Sequence, residues 1–142
     1  MEIIEETIFY HLEKSIKIYR QFAQKRINEH GFDITIDQWL ILKVVQDKND
    51  ISQQQIANMI FKDMASVTRM IELLVKKEYL QRDFHKTDRR RFRLIITARG
   101  KKVIQKLTPI IKTNRQTALQ NFTQKEIEGL KKALSTIIIN CS

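Results

Sequence analysis

At 142 residues, with 42% hydrophobic and 30% charged side chains, the chain is long enough for one domain with a real core and too apolar for wholesale disorder. Three Gly and one Pro speak against a β-sandwich. No apolar run approaches the roughly 18 residues of a membrane span, and the single Cys141 cannot close an internal disulfide, which fits a reducing cytoplasm.

The net charge of +10 is unevenly spread: residues 62–102 hold 13 Lys or Arg against 5 Asp or Glu, and the other 101 residues hold 13 against 11. An excess gathered into one segment points to a polyanionic partner, because phosphate neutralisation supplies most of non-specific nucleic-acid affinity.

The acidic, amphipathic start Met1-Glu2-Ile3-Ile4-Glu5-Glu6 is unlike a secretory signal. It opens a long predicted helix over residues 2 to about 28, with Ile4, Ile8, Leu12, Ile16, Tyr19, Ala23 and Ile27 at steps of three or four. Such a helix is about 40 Å long, more than a compact domain needs, so part of its stripe is expected to find a partner outside its own fold. Gly31 stops it.

Thr35 with Gln38 forms a capping box for a second helix whose apolar face carries Trp39, Leu42 and Val45. Asp47-Lys48-Asn49-Asp50 reads as a turn and Ile51 as a short strand. Ser52 and Gln55 repeat the box for a short third helix with Ile56, Ala57 and Ile60 inward. Phe61-Lys62 then leads to Asp63, a good N-cap for a fourth helix with Val67, Met70, Ile71, Leu74 and Val75 on one side. Its first turn and a half carries Ser66, Thr68 and Arg69 on the other face, a set suited to phosphates and base edges in a major groove. Two short helices so joined form a helix-turn-helix.

After Tyr79-Leu80 the period changes. Gln81-Arg82-Asp83 and Arg91-Phe92-Arg93-Leu94-Ile95-Ile96-Thr97 read as two strands, and Phe92, Leu94 and Ile96 alternate as in a half-buried strand. The basic tip between them, Phe84 to Arg90, makes this hairpin a wing. His85 there reads as a solvated or phosphate-facing side chain, and the scattered His and lone Cys give no metal-ligand spacing. Thr97 caps a fifth helix reaching about Asn121, with Val103, Leu107, Ile110 or Ile111, Asn114 and Ala118 on one face. Pro109 should kink it or break it in two. Thr123 and Glu126 box a last helix along Ile127, Leu130, Leu134, Ile137 and Ile138.

Three motifs resemble the multiple antibiotic resistance regulator (MarR) family of winged-helix transcription factors. They are Ile34-Thr35-x-x-Gln38-Trp39; Ser66-Val67-Thr68-Arg69 with Leu73-Leu74-x-x-x-x-Tyr79-Leu80-x-Arg82; and Asp88-x-Arg90-x-x-x-Leu94-x-Ile96-Thr97-x-x-Gly100. The resemblance spans nearly the whole chain. It implies a mainly α fold with a small β-wing: one domain, 1–142, with a winged helix-turn-helix at 34–97 and dimerisation helices at 1–30 and 98–142. It further implies a homodimer on a double-stranded DNA operator, with Ser66, Thr68 and Arg69 at the major groove. Arg90, flanked by Arg89 and Arg91, would enter the minor groove beside a wing oriented by Asp88. Lys62 and Gln53 complete the expected DNA-contacting set.

The family often senses phenolic or aromatic anions in a cleft between dimer helices and winged domain. Tyr10, His11 and Tyr19 would line such a cleft here over a floor of Trp39, beside their plainer reading as core or interface. Relatives that sense oxidants use an N-terminal cysteine, which this chain lacks. The expected function is a ligand-responsive repressor on a pseudo-palindrome, without metal or cofactor. The rival is a winged-helix module binding protein, or nucleic acid without sequence preference. An enzyme is disfavoured, since the sequence offers neither a nucleophile–base pair nor a glycine-rich phosphate loop.

Overall fold

The computed structural model describes residues 1–142 except Asn49, His85, Arg89 and Arg91. Each α-helix opens on an oxygen-bearing side chain that takes up a free N–H of the first turn. Thr7 accepts from Tyr10 N to open α1 (Ile8–Glu29). Thr35 and Ser52 form complete capping boxes with Gln38 and Gln55, opening α2 (Ile36–Asp47) and α3 (Gln53–Ile60). Asp63 accepts from Ser66 N at α4 (Met64–Lys76), and Thr97 from Gly100 N at α5 (Ala98–Ala118). Thr123 and Glu126 box α6 (Gln124–Cys141). Between α4 and α5 run β1 (Leu80–Phe84) and β2 (Phe92–Ile96), antiparallel, with Leu80 opposite Ile96 and Phe84 opposite Phe92.

The core lies where α2, α3, α4, the sheet root and the middle of α5 converge. Ile41, Leu42, Ile56, Val67, Ile71, Leu74, Leu80 and Leu107 are fully or almost fully buried there, joined by Ile27 from α1 and by Trp39. The ends of the chain contrast sharply with this. No residue of α6 is buried. Leu130, Ile138 and Ile139 are exposed on it, as are Ile8, Phe9, Ile16 and Ile18 on α1 and Leu119 and Phe122 beyond α5. Full burial of each such side chain is worth about 1.5–3 kcal/mol. Among the described residues no helix is long and apolar enough to cross a membrane.

Three boundaries, besides the strand ends, differ from the sequence reading, and the alternative it left open at Pro109 is decided. α1 begins at Ile8 after a separate 3-10 turn, Ile4–Glu6, because the Thr7 hydroxyl donates back to Ile4 O at 2.8 Å while accepting from Tyr10 N, a local pattern that interrupts a helix. Ile51 forms no strand. Asp50 takes a left-handed φ of 58° and delivers the chain straight into the Ser52 cap, which leaves no length for one. Pro109 does not divide α5, which runs continuously through it. The helix ends at Ala118, three residues before Asn121 takes a left-handed φ of 70°.

The root of the wing is welded to the end of α4. Thr97 Oγ1 donates to Glu78 O at 2.6 Å while accepting from Gly100 N at 3.0 Å, and Thr97 N donates to Tyr79 O at 3.2 Å. Gly100 is buried, and a Cβ there would lie 2.3 Å from Tyr79 O and 2.9 Å from Ile96 Cγ1. Backbone must therefore give way if a methyl is added. Gly100→Ala is expected to destabilise the fold by about 1–3 kcal/mol. Gly129→Ala in α6, where a Cβ meets nothing within 4 Å, should instead stabilise by about 0.5–1 kcal/mol. Chemical denaturation of the two variants checks both signs.

Candidate nucleic-acid interface

The helix-turn-helix consists of α3, Phe61-Lys62-Asp63 and α4. Phe61 ends α3 in the left-handed region at φ 61°, an uncommon conformation for a bulky residue, and its N–H and that of Lys62 both reach Ala57 O. The Phe61 side chain is 91% exposed, so the conformation is held by the turn rather than by packing.

Along the start of α4 the polar side chains form one relay. Asp63 Oδ1 accepts Ser66 N at 2.8 Å and Asp63 Oδ2 accepts the Ser66 hydroxyl at 2.9 Å. Ser66 Oγ in turn accepts from Arg69 Nη2 at 3.4 Å. These bonds hold the Asp63 carboxyl below the usual carboxylate range, chiefly through the Ser66 N–H, then its hydroxyl, with the charge of Arg69 a smaller contribution. Arg69 is exposed and Ser66 half-buried. Thr68 is linked across the turn: its hydroxyl donates to Met64 O at 2.8 Å and accepts from Gln53 Nε2 at 3.1 Å.

The wing presents the second cationic element. Asp88 Oδ1 accepts both the backbone N–H of Arg90 at 3.0 Å and its Nε at 3.3 Å, so the tip is turned by the carboxylate while the Arg90 side chain stays 92% exposed. Below it, Phe84 and Phe92 meet edge to face at 5.9 Å, Arg82 lies 5.4 Å over the Phe92 ring, and Arg93 pairs with Asp83 at 3.7 Å. Between this wing and the start of α3 runs a groove of about 580 Å³, lined by Gln53, Met64, Arg90 and Arg93 among others. Arg89, Arg91 and His85 of the sequence reading lie outside the described residues.

Lys62 is drawn elsewhere. Its ammonium sits 3.6 Å from Asp37 Oδ2, while Asp37 Oδ1 accepts from Arg20 Nη2 of α1 at 2.6 Å. Sequence reasoning could not see this, because the carboxylate lies one helix earlier in the chain.

Of the residues expected to line a ligand cleft, three lie on α1 and one on α2. Tyr10 is half-buried with its ring edge-on to His11 at 6.5 Å, His11 is exposed with Nδ1 2.8 Å from Thr7 O, and Tyr19 is half-buried on α1. Trp39 lies in the core with the Arg115 guanidinium 5.8 Å from its ring. The sequence reading missed that Asn114, 1% exposed, has neither amide atom hydrogen-bonded among the described residues. Trp39 Nε1 and Arg26 Nε are likewise buried without a partner. An asparagine on the apolar stripe of the fifth helix was the signal available.

A helix capped by Asp63, preceded by α3 and followed by an arginine-tipped two-stranded hairpin, defines a winged helix-turn-helix. The profile described as MarR family matches residues 34–92. Over 133 residues the chain is 25% identical to the HTH-type transcriptional regulator MhqR of Bacillus subtilis, covering 94% of this chain and 90% of that protein. It is 26% identical over 127 residues to SarZ of Staphylococcus epidermidis, covering 87% and 82%. Among solved structures, Bordetella bronchiseptica BpsR, described for regulation of its DNA binding by 6-hydroxynicotinic acid, superposes with a TM-score of 0.86 at 18% identity over 96% of each chain. The MepR–DNA complex of S. aureus gives 0.83 at 22% identity over 99% and 100%. The chain is thus similar, through its central segment and along most of its length, to MarR-family winged-helix transcriptional regulators, and the relatives named are regulators rather than enzymes.

The charge of Asp63 makes the cap of α4 pH-dependent. A carboxyl titrating lower in the fold than in the unfolded chain stabilises fully above its unfolded pKa of about 4, and that stabilisation fades as pH falls through the folded value. The gap in melting temperature between wild type and Asp63→Ala, open at neutral pH, should therefore close well below pH 4 in thermal-unfolding scans. A gap unchanged by acid would remove the charge from the capping account.

Proposed function

We propose that the chain acts as a homodimer that represses transcription by occupying a pseudo-palindromic operator in the cytoplasm, and releases it on binding a small aromatic or phenolic effector. The observation that carries the DNA reading is the joint exposure of Arg69 on the capped start of α4 and Arg90 on the wing tip, both inside the segment that holds most of the net positive charge. In this reading α4 lies in a major groove, where an arginine recognises the paired acceptors of guanine, and the wing lies in the adjacent minor groove. Ser66 steadies Arg69 for that contact.

The unburied apolar faces of α1 and α6 support the dimer. Two recognition helices related by a two-fold axis then meet half-sites about 34 Å apart. Support for the effector is the set of buried polar atoms on Arg26, Trp39 and Asn114 that have no partner among the described residues, carried by the three helices α1, α2 and α5 that pack on one another. An effector derepresses only by favouring a dimer whose recognition helices are wrongly spaced.

Competition titrations on a selected operator test the reading. Arg69→Ala is expected to lose about 1–3 kcal/mol there, with discrimination relaxed at one base position. Arg90→Ala should weaken all duplexes more evenly and lower the slope of log affinity against log salt by about 0.9. Sedimentation should give twice the chain mass of 16.9 kDa. A lone subunit, or equal affinity for every duplex, overturns the proposal in favour of a module without sequence preference.

A further inference from the structure

The hydrogen bond that joins the two helices of the helix-turn-helix has a direction fixed by chemistry. A threonine hydroxyl has one proton, and that of Thr68 is committed to Met64 O at 2.8 Å. Toward Gln53, 3.1 Å away, Thr68 can only accept. The Gln53 amide must therefore turn its nitrogen to α4, an assignment that follows from the network rather than from atom shapes. With its one proton given to Met64 O and one of its two lone pairs taken by Gln53, the Thr68 hydroxyl cannot donate to a base edge. Gln53 retains a second N–H, and among the described residues no protein donor meets its Oε1.

Gln53 is the first residue of α3 and lines the groove between that helix and the wing. The groove's lining holds Arg90 and Arg93 and one carboxylate, Asp50, while Asp88 and Asp83 pair with the two arginines from outside the lining. A duplex with α4 in its major groove and the wing in the next minor groove must pass its sugar–phosphate backbone through the gap between them. Phosphate oxygens only accept, so an amide held with its nitrogen in place is a matched donor, and the guanidinium groups supply the charge.

We infer that Gln53 donates to a backbone phosphate seated in this groove and that Thr68 is its positioning residue rather than a reader of bases. The inference rests on the winged-helix docking proposed above. It divides the polar face of the helix-turn-helix in two: Arg69 discriminates between sequences, and the Gln53–Thr68 pair sets the depth at which the helix is held.

The test compares Thr68→Val, which keeps the side-chain shape, with Gln53→Ala and the double variant. Binding is measured on the selected operator and on a random duplex. Each single change is expected to weaken both duplexes by about three- to tenfold, the net worth of one hydrogen bond. The double variant should be no weaker than the worse single one, with base preference and salt slope unchanged, since a neutral donor displaces no counterion. Gln53→Glu should lose more than Gln53→Ala, because a carboxylate faces the phosphate.

Methylphosphonate placed at one backbone position per half-site should weaken wild type and leave Gln53→Ala indifferent. Additive losses would make Thr68 a DNA contact in its own right and overturn the inference. A shifted base preference, such as a gain for cytosine in Gln53→Glu, would make Gln53 a base reader and overturn it as well, while leaving the operator reading intact. Failure of the wild type to select any operator sinks that reading alone, because the losses on random duplex still decide this one.

Discussion

α4 and the hairpin that follows it are held in register by the seam where Thr97 grips the carbonyl of Glu78. Neither α4 nor the hairpin could fix the other's position alone: a two-stranded ribbon is marginal in isolation, and a 13-residue helix draws most of its stability from packing. Thr97 does three things at once. It follows β2, caps α5 and ties both to Glu78 and Tyr79, just beyond the end of α4. The absence of a side chain at Gly100 lets α5 approach closely enough for those bonds to form. Recognition helix, wing and the long helix leading to the chain's end thus share one joint.

Around that joint, polar groups divide by what they can afford to leave unsatisfied. Buried positions are apolar almost throughout; Gln38 is held in its capping box, while Asn114 and the Trp39 indole N–H have no partner among the described residues. On the surface, by contrast, side chains organise one another locally. Asp63 arranges Ser66 and through it Arg69, and Asp88 arranges Arg90. In both cases a carboxylate beside an arginine limits the rotamers of a long cation that is otherwise exposed. This lowers the entropy still to be lost when such a side chain engages a partner.

Most of the architecture was legible because it is written locally. A capping box needs two residues three apart, and all three boxes at Thr35, Ser52 and Thr123 form as read. The amphipathic period of α4 and the alternation in β2 are equally short-range signals. What escaped the sequence depends on phase or on distance. Val103 and Ile104 are one residue apart, about 100° around the helix, and only the fold decides that Ile104 is the buried one. The Thr7 break turns on a choice between two local hydrogen bonds. The partners of Thr97 and of Lys62 are 19 and 25 residues away in the chain, and no pattern of spacing brings them together. The Gln53–Thr68 bond spans 15 residues and became visible only once two helices had crossed.

Asp37 carries a mechanical implication. Its two oxygens hold cations from opposite parts of the molecule, Arg20 on the long first helix and Lys62 at the entry to the recognition helix. Attraction between such charges varies smoothly with separation, so a small slide of the first helix alters how firmly the carboxylate grips the lysine before any backbone beyond it has moved. The side chain works as a gear tooth between the two, meshing the posture of the first helix with the freedom of the positive charge that precedes α4.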